Sequence, residues 1–202
     1  MIQNSEHVFI TGFTGSGKTF LAEKYLEYPT KHVICLDIKG DLKYKCDIIV
    51  KSLEKLKEIP FKKSKKILKV IYRPNIYEMN DEAYDEFFKF CYYLKNITVW
   101  VDEVSGVCPS AFKIPFHYMS ILARGRSRNT NVYSLSQRPK SIPINILSES
   151  THYFIFKLNA KGDRQRLYEY TGDERFLKPP EQEFHFFYFN NKSGYFSEGV
   201  LK

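Results

Sequence analysis

Eight consecutive residues near the amino terminus carry the first chemistry. Gly12 to Thr19 read G-F-T-G-S-G-K-T, which fits G-x-x-x-x-G-K-[ST] without a mismatch. Glycines in such a stretch let backbone N–H groups curl around phosphate oxygens. A helix opening directly afterwards adds the positive end of its dipole. Lys18 is spaced to reach the β- and γ-phosphates, and Thr19 to offer its hydroxyl to Mg²⁺. The nucleotide-binding stretch is therefore taken as Gly12, Phe13, Thr14, Gly15, Ser16, Gly17, Lys18, Thr19 and Phe20. ATP and Mg²⁺ are its expected ligands.

A second element follows far along the chain. The apolar run Ile97 to Val101 ends in Asp102-Glu103. An acidic residue at the end of a buried strand completes a phosphate site: Asp102 would hold the metal shell, and Glu103 would polarise a water for attack on the γ-phosphate. With Lys18, Glu103 is a candidate catalytic residue. The adjacent glutamate points to hydrolysis rather than phosphoryl transfer to a small acceptor. No N-K-x-D follows the loop, which argues against a GTPase.

These residues need elements to position them. Val8 to Thr11 reads as a strand before the loop, and Thr19 to Tyr28 as a helix after it. Further strands are expected at His32 to Leu36, Ile48 to Val50, Ile67 to Tyr72, Ile97 to Val101, Val132 to Ser136 and Tyr153 to Lys157. Helices are expected at Ser52 to Ile59, at Ala83 to Leu94 with Asn80 as N-cap, at Ser110 to Ala123 with a bend at Pro115, and at Gly162 to Tyr170. Phe184 to Phe189 and Tyr195 to Leu201 flank Asn-Asn-Lys-Ser-Gly and predict a C-terminal β-hairpin. Strands alternating with helices predict an α/β fold with a mostly parallel central sheet. The stripe Tyr84, Phe87, Phe88, Cys91 has helical spacing and reads as core or subunit interface, not as a base-stacking platform.

The chain has 202 residues, enough for one domain over 1–202 with a core of its own. Its composition excludes wholesale disorder, and no apolar run approaches a membrane span. Nothing at the amino terminus reads as a signal peptide. Lys and Arg number 31 against 23 Asp and Glu, a net charge of +8, which favours an acidic partner such as nucleic acid. Cys35, Cys46, Cys91 and Cys108 are scattered without metal-ligand spacing, which suits free thiols in a reducing compartment. The Lys-rich loop Phe61 to Lys66 reads as a solvated loop, with contact to DNA as the alternative.

Two further stretches suggest a family. Leu36 to Leu42, L-D-I-K-G-D-L, is similar to the D-P-K-G-[DE] stretch of conjugative coupling proteins and HerA-like ATPases, with Ile38 in place of proline. Ala123 to Pro139 is similar to their G-R-x-x-G-hydrophobic-Q-R-P block, with Asn129 to Asn131 in place of the glycine-rich turn. Across Val8 to Leu201 the chain resembles the FtsK/HerA superfamily of P-loop ATPases, and most of all the compact genome-packaging ATPases of membrane-containing viruses and phages.

The resemblance implies an ASCE, RecA-like core and ATP-driven translocation of double-stranded DNA. Gln137 matches the family glutamine that senses the γ-phosphate, a role suited to a neutral amide that reports through hydrogen bonds. Arg126 matches an arginine that enters the neighbouring subunit's site, with Arg124 and Arg128 beside it as rivals. It implies self-association into a hexameric or pentameric ring, and a portal or membrane-vertex docking partner. It places the motor in the virion or host cytoplasm, peripheral at a membrane and without a transmembrane segment of its own. The alternative readings are a filamentous-phage assembly or secretion ATPase of the zonula occludens toxin group, and a slow nucleotide-dependent switch.

Overall fold

The structure, a computed structural model, describes residues 2 and 5–201. Its elements are β1 (His7–Thr11), α1 (Lys18–Tyr25), β2 (His32–Leu36), β3 (Ile48–Val50), α2 (Leu53–Glu58), β4 (Lys69–Tyr72) and α3 (Asp81–Leu94). Then follow β5 (Ile97–Val101), α4 (Phe116–Arg124), β6 (Asn131–Ser136), α5 (Ile144–Glu149), β7 (Ser150–Phe156), α6 (Lys161–Thr171), β8 (His185–Asn190) and β9 (Tyr195–Val200). The strands form one nine-stranded sheet in the order β3-β4-β2-β5-β6-β1-β7-β8-β9. Every pairing from β3 to β7 is parallel, while β8 and β9 add as an antiparallel hairpin. This is the α/β fold with a mostly parallel sheet and C-terminal hairpin that the sequence predicts.

A parallel sheet must be covered on both faces, so its strands are apolar on both. Phe9, Ile34, Leu36, Val99 and Val101 point to one face and pack under α2 to α6 through residues such as Leu56, Phe88, Ile121, Leu147 and Leu167. Their neighbours Val8, Ile10, Val33, Cys35 and Trp100 point to the other, where Leu21 and Ala22 of α1, its C-cap Leu26 and Tyr44 cover them. The aromatic stripe of α3 is core: Phe87 and Phe88 are fully buried, and Phe88 stacks on Tyr118 of α4 at 4.3 Å between ring centroids. Asn80 caps α3 as expected, its side chain accepting from Ala83 N. The four cysteines are free thiols.

Several boundaries differ from the sequence expectation. The predicted helix over Ser110 to Ala123 starts only at Phe116. Pro115 is its N-cap rather than a bend within it, and Ser110 pairs with Lys113 in an isolated bridge before it. Proline has no backbone N–H, which breaks a hydrogen bond in a helix interior but costs nothing at a helix start, where that N–H would be unpaired. The first helix ends at Tyr25, short of Pro29, and the strand expected from Ile67 begins at Lys69. Phe61 opens the Lys-rich loop with a buried ring in a short 3-10 turn, while its lysines stay in solvent. Helix α5 has no counterpart in the sequence expectation.

The two edges of this sheet have different jobs. Strands β1, β2, β5 and β6 end side by side, so the loops after Thr11, Leu36, Val101 and Ser136 leave from one edge. The turn 126–128 lies at the opposite edge, where Asn96 N donates to Arg128 O just before β5. Gly125 makes that turn possible: its O accepts from both Arg128 N and Thr130 N at 2.9 Å. A Cβ there would stand 2.4 Å from Thr130 O and 2.5 Å from Ile121 O, both backbone atoms. Gly125→Ala should therefore destabilise the protein by about 2 kcal/mol through overpacking, lowering the melting temperature by roughly 5 °C. Thermal unfolding followed by circular dichroism checks this; an unchanged transition would mean the turn opens to admit the methyl.

Candidate nucleotide-binding and hydrolysis site

Four strand ends meet around the loop from Gly12 to Gly17. Gly12 N donates to Ser136 O at the end of β6 and Phe13 N to Lys157 O just after β7, so the loop is pinned to both neighbouring strands. Ser16 N closes a turn onto Phe13 O. The remaining loop amides, of Thr14, Gly15 and Gly17, take no backbone partner among the described residues. Gly17 caps α1 with φ 104°, a left-handed conformation that glycine adopts without strain.

Lys18 opens α1 and folds back over the loop, its Nζ donating to Gly12 O at 2.8 Å and Phe13 O at 2.9 Å. Burial lowers its pKa to about 8, with the charge of Lys39 adding to the effect and that of Glu103 opposing it. Thr19 Oγ1 donates to Asp102 Oδ1 at 3.3 Å across the gap from α1 to the end of β5. Burial pushes the Asp102 carboxyl up to about 6, against the pull of Lys39 and the Thr19 hydrogen bond and with Asp37 adding to the rise. A cation there would relieve the cost of that buried charge. Asp37, Asp41 and Asp102 bring carboxylate oxygens within 4.8 Å of one another. Asp37 is committed elsewhere: it accepts from Gly40 N, Leu42 N and Arg73 Nε. Thr19 and Asp102 are thus the residues that would hold Mg²⁺, with Asp41 at the outer side.

Two observations test whether the loop fits a phosphate chain. A Cβ built on Gly15 meets nothing within 4 Å, so the space over the loop is open. Ser16 Oγ is buried without a hydrogen-bond partner among the described residues. An open cradle, loop amides without a backbone partner, a buried ammonium and an orphaned hydroxyl form a donor set that suits phosphate oxygens.

Glu103 follows Asp102 with its carboxylate nearly buried, paired to Lys39 at 3.1 Å. Gln137 leaves β6 beside the loop, its Oε1 accepting from Thr14 Oγ1 at 2.8 Å. Lys18, Thr19, Asp102, Glu103 and Gln137 are thus brought together, as the sequence predicts. Arg126 is not. It stands exposed at the far edge, a strand length of roughly 20 Å away. Of its two rivals, Arg128 lies over the Tyr92 ring at 3.7 Å and donates to Tyr92 O. Arg124 also pulls on the Tyr92 hydroxyl.

The site has a part that sequence patterning does not reveal. A cavity of about 490 Å³ opens beside the loop, lined by Gly15, Gly17, Lys18, Thr19, Phe20, Phe184 and Leu201. Phe184 and Leu201 come from the flanks of the C-terminal hairpin and are joined by a Leu201 N to Phe184 O hydrogen bond. Leu201 reaches the loop so closely that a Cβ on Gly17 would stand 2.5 Å from its Cδ1. The cavity pairs phosphate donors at one side with aromatic rings at the other, the two chemistries a nucleotide presents. Phe20, at the head of α1, joins it as the sequence stretch anticipates.

Comparison with known proteins gives the same picture. No family model matches the chain. It is 28% identical over 172 residues to the DNA packaging ATPase P9 of Enterobacteria phage PRD1, a match covering 82% of this chain and 70% of the relative. The genome-packaging NTPase B204 of Sulfolobus turreted icosahedral virus 2, solved in complex with AMPPCP, superposes with a TM-score of 0.81 over 99% of this chain and 100% of its own, at 14% identity. The coupling protein TcpA of the pCW3 conjugation system, solved with ATPγS, superposes with a TM-score of 0.66 over 96% of this chain and 59% of its own, at 15% identity. The chain is related in sequence to a DNA packaging ATPase and has the whole fold of a genome-packaging NTPase.

Lys18→Ala should weaken binding of ATP at least a hundredfold, since the ammonium is the loop's one buried cation. Phe184→Ala should weaken ATP and ADP equally, by about tenfold, through loss of an aromatic contact to the base. Isothermal titration of both variants checks this; an unequal loss in Phe184→Ala would place that ring near the phosphates instead.

Proposed function

We propose that the chain is an ATPase motor that drives double-stranded DNA during viral genome packaging, within one P-loop domain over 1–202. The observation that carries the reading is the convergence of Lys18, Thr19, Asp102, Glu103 and Gln137 at one sheet edge. The relationship to packaging ATPases gives that edge its task.

The loop amides and Lys18 bind and orient the triphosphate. Thr19 and Asp102 would hold a metal ion, which when bound would neutralise charge on the phosphates. Glu103 accepts a proton from the attacking water, the oxygen of which forms the new bond to the γ-phosphorus as the bond to the bridging oxygen breaks. Gln137 contacts the terminal phosphate through its amide. Its hydrogen bond to Thr14 ties it to the loop, so loss of phosphate is felt at β6.

Arg126 belongs to a different site in this scheme. At the far edge it cannot serve its own nucleotide, and a neighbouring copy in a hexameric or pentameric ring receives it. Arg128 is occupied with Tyr92, and Arg126, the arginine that the family block aligns, is taken as the residue to cross, with Arg124 as its rival. DNA is held through its phosphates, a mode that the net charge of +8 favours. Among the described residues no helix is long and apolar enough to cross a membrane; in this reading the motor docks peripherally on a portal or membrane-vertex protein. The motor then works in the virion or host cytoplasm.

Steady-state turnover with and without long double-stranded DNA, at two salt concentrations, tests the reading. Salt-sensitive stimulation is expected. Turnover indifferent to DNA would move the reading towards protein export or a switch. Glu103→Gln should bind ATP yet lose at least a hundredfold in kcat; a near-normal rate would move the base elsewhere. In mixing experiments, Arg126→Ala should depress turnover of wild-type protein beyond simple dilution, because each variant copy spoils its neighbour's site. A loss strictly proportional to the variant fraction would remove the crossing arginine.

A further inference from the structure

Lys39 has no part in the mechanism above, yet it holds the residue that the mechanism makes the base. Its Nζ donates to Glu103 Oε2 at 3.1 Å. The other carboxylate oxygen accepts from Ser105 Oγ at 2.8 Å and, at longer range, from Ser105 N at 3.4 Å. Both oxygens of Glu103 therefore have partners within the chain. A carboxylate held this way is turned to the protein, whereas a general base must face its water.

The segment that carries Lys39 is clamped on either side of it. Asp37, fully buried, accepts from Gly40 N at 2.8 Å, Leu42 N at 3.2 Å and Arg73 Nε at 2.7 Å. Arg73 Nη2 in turn donates to Leu42 O at 2.6 Å. The clamp fixes the backbone at the end of β2. The Lys39 side chain itself is 40% exposed and hangs from this fixed base on a flexible four-carbon stem. Its charge is felt at the phosphate loop, where it adds to the burial that lowers Lys18, and at Asp102, where it opposes burial. The ammonium thus pairs directly with Glu103, next in sequence to Asp102, and its charge reaches both Lys18 and Asp102.

We propose that Lys39 is a latch on Glu103: its ammonium pairs with the carboxylate until a nucleoside triphosphate binds, then exchanges it for the terminal phosphate, which frees Glu103 to take the water's proton. The proposal rests on the hydrolysis reading and deepens it. A diphosphate has no terminal group at that position and leaves the latch closed. After the water attacks and ADP and inorganic phosphate separate, the ammonium follows the phosphate until its release and then returns to Glu103. The pair so couples readiness of the base to the presence of a hydrolysable phosphate. It makes Lys39 a positioning residue that acts through Glu103.

Two measurements test this. In the first, affinities for ADP and for β,γ-methylene-ATP are compared by titration calorimetry in wild type, Lys39→Met and Lys39→Arg. Lys39→Met is expected to weaken the triphosphate analogue by about tenfold, the worth of one charge-assisted hydrogen bond, and to move ADP by less than twofold. Lys39→Arg, which keeps the charge, is expected to restore most of the difference. Equal losses for both nucleotides, or no loss, overturn the latch. In the second, crystal structures of the wild-type protein with each nucleotide are compared. Lys39 Nζ should lie on a γ-phosphate oxygen with the analogue and on Glu103 with ADP. The same partner in both overturns the proposal. Failure of wild type to bind either nucleotide, or unaltered binding by Lys18→Ala, overturns the hydrolysis reading itself. That outcome is distinct from a latch that fails while the site still binds.

Discussion

Strand β6 lies hydrogen-bonded between β1 and β5, and the rest of the site depends on that insertion. Adjacent strands are about 4.8 Å apart, so one intervening strand sets the phosphate loop and the acidic pair about 10 Å from each other across the sheet edge. Helix α1, leaving the loop, closes part of that gap and brings Thr19 within 3.3 Å of Asp102. The width left over suits a terminal phosphate and a metal ion. The inserted strand also delivers Gln137 into the middle of the gap, where its amide touches the loop through Thr14. Without β6, the loop and Asp102 would crowd one another and no residue would stand between them.

Buried charges at this edge are held by partners that a ligand can replace. Lys18 rests on two carbonyls of its own loop, Gln137 on Thr14, and Glu103 on Lys39 and Ser105. These three side chains are satisfied within the chain, which avoids the large cost of an unpaired buried polar group. For them nucleotide binding is an exchange of partners rather than a fresh desolvation, while Ser16 Oγ and the amides of Thr14, Gly15 and Gly17 gain a partner. The buried Asp37–Arg73 pair is different. Its oxygens are committed to two backbone amides and a guanidinium, so it keeps the end of β2 rigid while its neighbours trade contacts.

Much of this was legible in the sequence because it is local. The phosphate loop, the apolar run into Asp102-Glu103 and the Asn80 cap are each written in a few adjacent residues, and short apolar runs mark the strands of the parallel sheet. The start of α4 is less legible: Pro115 signals an interruption within Ser110 to Ala123, and the structure resolves it as the N-cap of a helix that begins at Phe116. Helix α5 spans six residues between Pro143 and β7, too few to show a period. The contacts of Phe184 and Leu201 with the loop join residues far apart in sequence, and no spacing rule reaches them. Lys39 and Glu103, 64 positions apart, are likewise united only by the pairing of β2 with β5. A lysine in the loop after a strand paired to the acidic strand is a signal that topology could have supplied.

The same parallel pairing that gathers the site also separates it from Arg126. A strand has two ends, and the loop before β6 must emerge at the edge opposite to the loop after it. The chain therefore presents a nucleotide site on one edge and an exposed arginine on the other. Two such unlike surfaces can meet only head to tail between copies. Contacts of that kind close into a ring when the rotation between copies divides a full turn, and otherwise continue as a filament. On the proposed reading, Gly125 holds the arginine turn close against α4 and Thr130, so the crossing residue sits on a rigid support. A rigid support at one edge and partner-exchanging side chains at the other would let a change of nucleotide in one copy be met by a fixed surface of the next.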